Sequence, residues 1–327
     1  MSLKSASGKA YGQDMRVVPE QEHVTHARLV PAMPAILERL RVHRESVDRE
    51  AEQCRDADAR NAASDKIGPP LKTYPIGFCR HIRDLVWARA IADPAFRKLI
   101  GEGVLVRRVF IFLKGQYFQN AVQLGNLYVD VANDTVWVDK PKLEWMPVAD
   151  VPYENVERWA TFADVASRYL KVELYPNFLF PGAFPVSPFF AIRRNGRLDL
   201  LFAQDALFLK DLGEGMPRIQ ALLADEALMS RRLPAVYEEL LWKKFAGGAP
   251  AGFPLTFAPS GMEAIRGGIV REFVELANQP PEPGLPAVDG YLRKVMQATR
   301  TLSEMDLVPS AAELARLRAD GAIPAAA

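Results

Sequence analysis

Leu127-Tyr128-Val129-Asp130-Val131-Ala132-Asn133-Asp134-Thr135-Val136-Trp137-Val138-Asp139 alternates apolar and polar residues on either side of an Ala-Asn-Asp centre. Side chains along a strand point to opposite faces with a period of two, and Asn-Asp centres suit tight turns. The segment therefore predicts a β-hairpin with Asn133-Asp134 as its turn. In that register Asp130 lies opposite Trp137 and Tyr128 opposite Asp139. Val129, Val131, Val136 and Val138 then share a dry face, while Tyr128, Asp130, Trp137 and Asp139 share the other.

Upstream, Val104 to Leu113 is rich in β-formers, Gly115 interrupts it, and Gln116 to Leu124 continues as strand. Downstream, Phe189–Arg194 and Arg197–Phe202 flank Asn195-Gly196, which predicts a second hairpin with a type I′ turn. Between the two hairpins, Thr161 with Asp164 three residues later opens a helix that runs to about Leu170.

Beyond the strands the period becomes helical. Residues 33–60 read as a charged helix whose narrow apolar seam (Met33, Leu37, Leu40, Val47, Ala51, Cys54) is broken by Arg44. Residues 1–30 read as a polar arm, ordered when docked. Gly68-Pro69-Pro70 is a break, a short helix covers 81–91, and Asp93-Pro94 caps a further turn or two that ends near Gly101 or Gly103. Helices are expected over 216–230, 233–245, 261–277, 289–305 and 310–320, the last opened by Ser310 and Glu313. Helices, then strands, then helices is the order of an α+β fold. The expectation is a central antiparallel sheet from about 104 to 203, flanked by an N-terminal helical segment and a C-terminal helical cluster. The corresponding divisions are 1–70, 71–203 and 204–327.

The polar face of the first hairpin supplies the candidate site. Asp130 and Asp139 are the candidate catalytic carboxylates and the candidate ligands of a divalent cation, whose hard charge prefers oxygen donors. Tyr128 and Trp137 offer a stacking platform. Gln119 and Asn120 are orienting amides, and Gln116, Gln123 and Asn126 could also hydrogen-bond a polar ligand. Arg193 and Arg194, at the second turn, are candidate anion contacts. The plain alternative is a one-sided sheet with an ordinary wetted face.

Other signals carry less. His23 and His26 stand three apart without a third partner. Cys79 and His81 would point apart on a helix. Two cysteines in 327 residues exclude a disulfide scaffold and a four-cysteine zinc module. The uncharged stretches 175–192 and 245–262 could pass for spans by length, but their prolines interrupt any continuous helix, so both read as Phe/Pro loops rather than membrane spans. A formal charge of +1 and scattered basic doublets argue against nucleic acid as partner. GxGxxG, GxxxxGK[ST], GxSxG and CxxC are all missing, which weighs against Rossmann, P-loop, α/β-hydrolase and zinc-ribbon chemistry. The polar first residues lack the apolar core of a secretory signal, which predicts a cytoplasmic location.

Three functions compete on these residues. The first is a cytosolic enzyme, a transferase for instance, acting on a polar small molecule such as a sugar or nucleotide conjugate. The second is a non-enzymatic interaction or assembly protein, meeting a partner protein or a second copy through residues 33–60 and the Phe/Pro loops. The third is a carrier of an apolar ligand enclosed by those loops.

Overall fold

The computed structural model describes residues 14–56, 74–201, 205–246, 248, 253–257, 286–305 and 307–323. The fold is α+β with two antiparallel sheets, one of five strands and one of three. The chain divides after Asn155 into two compact units, so the boundary falls inside the stretch 71–203 that the sequence presents as one core.

In the N-terminal unit, an uncoiled arm at Asp14–Val18 leads into helical turns over Pro19–Leu29 and then a long helix, α1 (Val30–Asp56). Helices α2 (Cys79–Ala92) and α3 (Pro94–Ile100) follow, α3 capped by the Asp93 carboxylate on the Ala95 N–H at 2.8 Å. Strands β1 (Val106–Leu113), β2 (Tyr117–Leu124), β3 (Leu127–Asp130), β4 (Glu144–Pro147) and β5 (Tyr153–Asn155) build the sheet in the order β4-β3-β2-β1-β5.

Period-two alternation gives this sheet two different faces. Val122, Leu124, Leu127 and Val129 pack with Met33, Ile36 and Leu40 of α1 and with Ile82 and Val86 of α2 in one apolar core. Full burial of each such side chain contributes roughly 1.5–3 kcal/mol. The helical layer sits very close to the sheet at Gly125, in the β2–β3 turn. Its φ is +59°, and a Cβ there would stand 2.6 Å from Thr25 Oγ1 and 2.8 Å from Leu29 Cδ1. The opposite face carries Arg107, Ile111, Gln119, Gln123, Tyr128 and Asp130, as the strand registers require.

The first hairpin expected from sequence does not form. Strand β3 ends at Asp130 and pairs with β4, so Asp130 lies opposite Glu144 and Tyr128 opposite Met146, not opposite Trp137 and Asp139. Residues 133–135 make a short helical turn, and Val138 is 65% exposed instead of sharing the dry face. Competing polar bonds are the cause. The Arg44 guanidinium binds Asp134 through both oxygens, at 2.8 and 2.9 Å. The Asn133 N–H reaches the Lys142 carbonyl at 3.3 Å, and Asn133 Nδ2 donates to the Pro141 carbonyl at 3.1 Å. These bonds close residues 133–142 into a loop. The side assignment of β3 itself holds: Val129 is in the core and Asp130 is on the other face.

The C-terminal unit holds helix α4 (Trp159–Leu170) and strands β6 (Val172–Pro176), β7 (Phe189–Arg193) and β8 (Leu198–Leu201), paired in that order. Helix α4 starts at Trp159, two residues before the expected Thr161, and its N-cap Arg158 makes no side-chain cap. The second hairpin forms, with a different turn. Only Gly196 has a positive φ (+81°) at this turn, and the Gly196 N–H bonds the Arg193 carbonyl at 2.8 Å. The connection is therefore not the type I′ turn on Asn195-Gly196. Gly196 has a second constraint: a Cβ there would meet Leu314 Cδ2 at 2.3 Å.

Helices α5 (Asp205–Gly213), α6 (Pro217–Leu223), α7 (Glu226–Met229), α8 (Ala235–Phe245), α9 (Pro286–Glu304) and α10 (Ala311–Ala319) complete the unit among the described residues. The expected helix 216–230 is two helices, because Asp225 caps the second on the Leu228 N–H. The Ser310/Glu313 capping box is present. The expected helix 261–277 and the end of the charged helix at 57–60 lie outside the described residues. Among the described residues no helix is long and apolar enough to cross a membrane.

Candidate functional site

Asp130 is fully buried and completely hydrogen-bonded. One carboxylate oxygen accepts from the Ala132 N–H at 2.7 Å; the other accepts from Tyr128 Oη at 3.0 Å and from Gln119 Nε2. Burial lifts its carboxyl to about 6, although all three hydrogen bonds pull the other way. Burial likewise raises Tyr128, with the Asp130 charge adding to the shift. The structure thus brings Asp130, Tyr128 and Gln119 together, and leaves Gln119 Oε1 buried without a partner.

The remaining sequence candidates go elsewhere. Asp139 is exposed in the 133–142 loop, so it does not share a site with Asp130. Among the described residues there is no cluster of three acidic, His or Cys side chains able to hold a metal ion. Trp137 is half exposed, packs edge-on against Tyr117 at 5.3 Å, and lies under Lys140 Nζ at 4.6 Å. Asn120 is on the helix side of the sheet. Its Oδ1 accepts from buried Arg83 at 3.0 Å and its Nδ2 meets Cys79 Sγ at 3.3 Å. Burial pushes the Cys79 thiol up, which makes it a poor nucleophile. Arg193 is committed to Asp199, which also holds Arg197, and the Arg194 carbonyl accepts from Arg318 at 2.9 Å.

Among the described residues, parts of the surfaces expected from sequence pack against their own unit. The seam of α1 faces its own sheet, and its outer side is laced by Arg41 with Glu38 and Glu45. The Phe/Pro loops pack on themselves: Phe180 touches Phe190, Phe245, Phe253 and Phe257 with ring centroids 5.3–6.0 Å apart.

A different constellation stands out on the polar face. Three side-chain amides each grip one residue of the arm by both backbone groups. Asn155 accepts from the Met15 N–H at 2.8 Å and donates to the Met15 carbonyl at 3.0 Å. Gln123 accepts from the Arg16 N–H at 3.3 Å and donates to the Arg16 carbonyl at 2.7 Å. Asn126 accepts from the Val18 N–H at 2.8 Å and donates to the Val18 carbonyl at 3.0 Å. Tyr153 Oη adds a bond to the Met15 carbonyl at 2.8 Å, and Arg107 one to the Asp14 carbonyl at 2.8 Å.

The geometry explains itself. Asn155 is on β5 and Gln123 on β2, the two neighbours of β1. Successive residues of an extended chain present their N–H and C=O pairs to opposite sides. An arm lying over β1 therefore offers Met15 to β5 and Arg16 to β2. Gln123 and Asn126 were legible in the sequence as ligand-seeking amides. Asn155, Tyr153 and Arg107 were not, since only the strand order brings them beside Gln123. Searches against protein-family models, curated proteins and solved structures find no match for this chain.

Proposed function

We propose that this protein is a binding or assembly protein rather than a catalyst, and that the polar face of its N-terminal sheet is a recognition surface for extended polypeptide. The observation that carries this reading is the triple amide grip on Met15, Arg16 and Val18. A side-chain amide holds one donor and one acceptor at the spacing of a residue's N–H and C=O, so it reads backbone and is tolerant of sequence. Each such bond contributes on the order of 1 kcal/mol net, and several in series make a usable affinity. The enzyme reading has less behind it. Asp130 has no exposed surface from which to reach a substrate, and Asp139 is in a different place. The apolar-carrier reading would need the Phe loops to enclose a space, whereas among the described residues Phe180, Phe245, Phe253 and Phe257 pack on one another.

The test is retention on an array of immobilised ten-residue peptides of the full chain carrying Val18→Pro, which loosens the chain's own residues in the groove by removing the N–H that Asn126 accepts, beside the same chain with Gln123→Ala and Asn155→Ala added. The expected outcome is a subset of peptides held by the first protein and weakened at least about tenfold in the second, as the loss of two or more hydrogen bonds implies. Equal retention by the two proteins refutes the proposal.

A further inference from the structure

We infer that the arm Asp14–Val18 is an intramolecular competitor seated in this groove, and that the groove's ligand in trans is an extended peptide with an apolar anchor. The inference rests on the polypeptide-binding reading above. It specifies what binds and what holds the site closed.

The arm is held as a ligand is held. Eight bonds to its backbone come from side chains of the sheet and its turn, the Val18 carbonyl also accepts from the Gln21 N–H at 2.9 Å, and none of these is strand pairing. One of its side chains, Met15, is fully buried, while Arg16 and Val17 face outward, Val17 at 48% exposure. A peptide held in the same way would bury an apolar side chain at this one position and turn the next two outward. The groove also demands N–H groups at positions 15, 16 and 18, which excludes proline at each, whereas the grip on position 17 involves neither of its backbone groups. Arg107 contributes one guanidinium nitrogen to the arm and keeps its Nε buried without a partner, so the arm leaves a donor of the groove unused.

The attachment favours release. Val18 is extended (φ −118°, ψ 106°), and Pro19 begins the helical turns immediately after it. The arm can leave by rotation at Val18 at the cost of one helical-turn bond, from the Gln21 N–H to the Val18 carbonyl at 2.9 Å. A short tether gives the seated arm an effective concentration on the order of millimolar, so a free peptide with the same contacts competes poorly until the arm is weakened.

The test uses the full chain and a fluorescein-labelled synthetic peptide of residues Tyr11–Glu20, read by anisotropy. Two variants weaken the arm without touching the groove. Met15→Asp puts a charge in the anchor position, and Val18→Pro removes the N–H that Asn126 accepts. Either variant should bind the probe at least tenfold more tightly than the native chain does. Adding Gln123→Ala and Asn155→Ala should erase that gain. Within the probe, Arg16→Pro should abolish binding and Val17→Pro should not. Equal affinity for the native chain and both arm variants overturns the inference. It leaves the polypeptide-binding reading standing if the Gln123/Asn155 substitutions still weaken that common affinity. A probe bound by none of these proteins, with the variants melting as cooperatively as the native chain, overturns both.

Discussion

Arg44→Ala should destabilise the native state by about 3–5 kcal/mol, the cost of stranding a buried partner charge. Arg44 is 1% exposed in the apolar seam of α1, and Asp134 is 3% exposed. The guanidinium holds both Asp134 oxygens, the Val131 carbonyl at 2.8 Å and Asp48 at 2.9 Å. Burial alone would lower the pKa of Arg44, but the Asp134 hydrogen bond and charge more than reverse this, so the cation is favoured. Removing the arginine leaves Asp134 without its counter-charge and the Val131 carbonyl without this donor. The loop 133–142 then loses its buried tie to α1 and keeps the more exposed pair of Lys142 with Asp48 at 2.6 Å. Replacing both partners by apolar residues, Arg44→Met with Asp134→Leu, should recover much of the loss, because buried pairs often cost as much to desolvate as they return. Urea midpoints of the two variants check this. A loss under about 1 kcal/mol for Arg44→Ala would mean that the pair behaves like a surface ion pair.

Arg44 also shows what the sequence discloses and what it does not. An arginine at a seam position of an otherwise apolar stripe is legible as an anomaly. Its partner, 90 residues away, is not. That missing partner is why the alternation of 135–139 misleads: the local pattern supports a strand, but Asp134 is held by Arg44 and Asn133 by Lys142 and Pro141, and tertiary bonds override a marginal hairpin. Where the deciding interactions are local, the reading survives. Ser310 and Glu313 cap each other within one turn, Asp93 caps its own helix, and the sides of β3 follow from its own alternation. The candidate site behaves the same way. Gln119, Tyr128 and Asp130 fall within twelve residues and do meet. The amide grip joins residues more than 100 apart along the chain, and nothing in the periodicity of the strands could reveal that Gln123, Asn126 and Asn155 hold residues 15, 16 and 18.

Asp130→Asn should stabilise the protein above neutral pH and remove a pH dependence that the native chain shows. The native carboxyl is raised by burial from an ordinary 3.8 to about 6. A raised carboxyl means that the folded state binds its proton more tightly than the unfolded chain does. Its contribution is therefore most favourable below about 4, declines as pH rises through the interval from about 4 to 6, and is unfavourable above it. The full difference is about 3 kcal/mol. Asparagine keeps the neutral form at every pH, and the cluster can accept it. Oδ1 still takes the Ala132 N–H. Nδ2 can donate to Tyr128 Oη and to Gln119 Oε1, the buried acceptor that has no partner in the native chain. Denaturant midpoints measured from pH 4 to pH 8 should converge at the acid end and separate at the basic end, with the variant more stable. Parallel curves would show that Asp130 does not titrate in this interval. The same variant separates the two functional readings. A catalyst that depends on Asp130 loses its activity with the carboxylate, whereas the grip of Gln123, Asn126 and Asn155 on a peptide backbone makes no use of Asp130 and should bind the Tyr11–Glu20 probe with unchanged affinity.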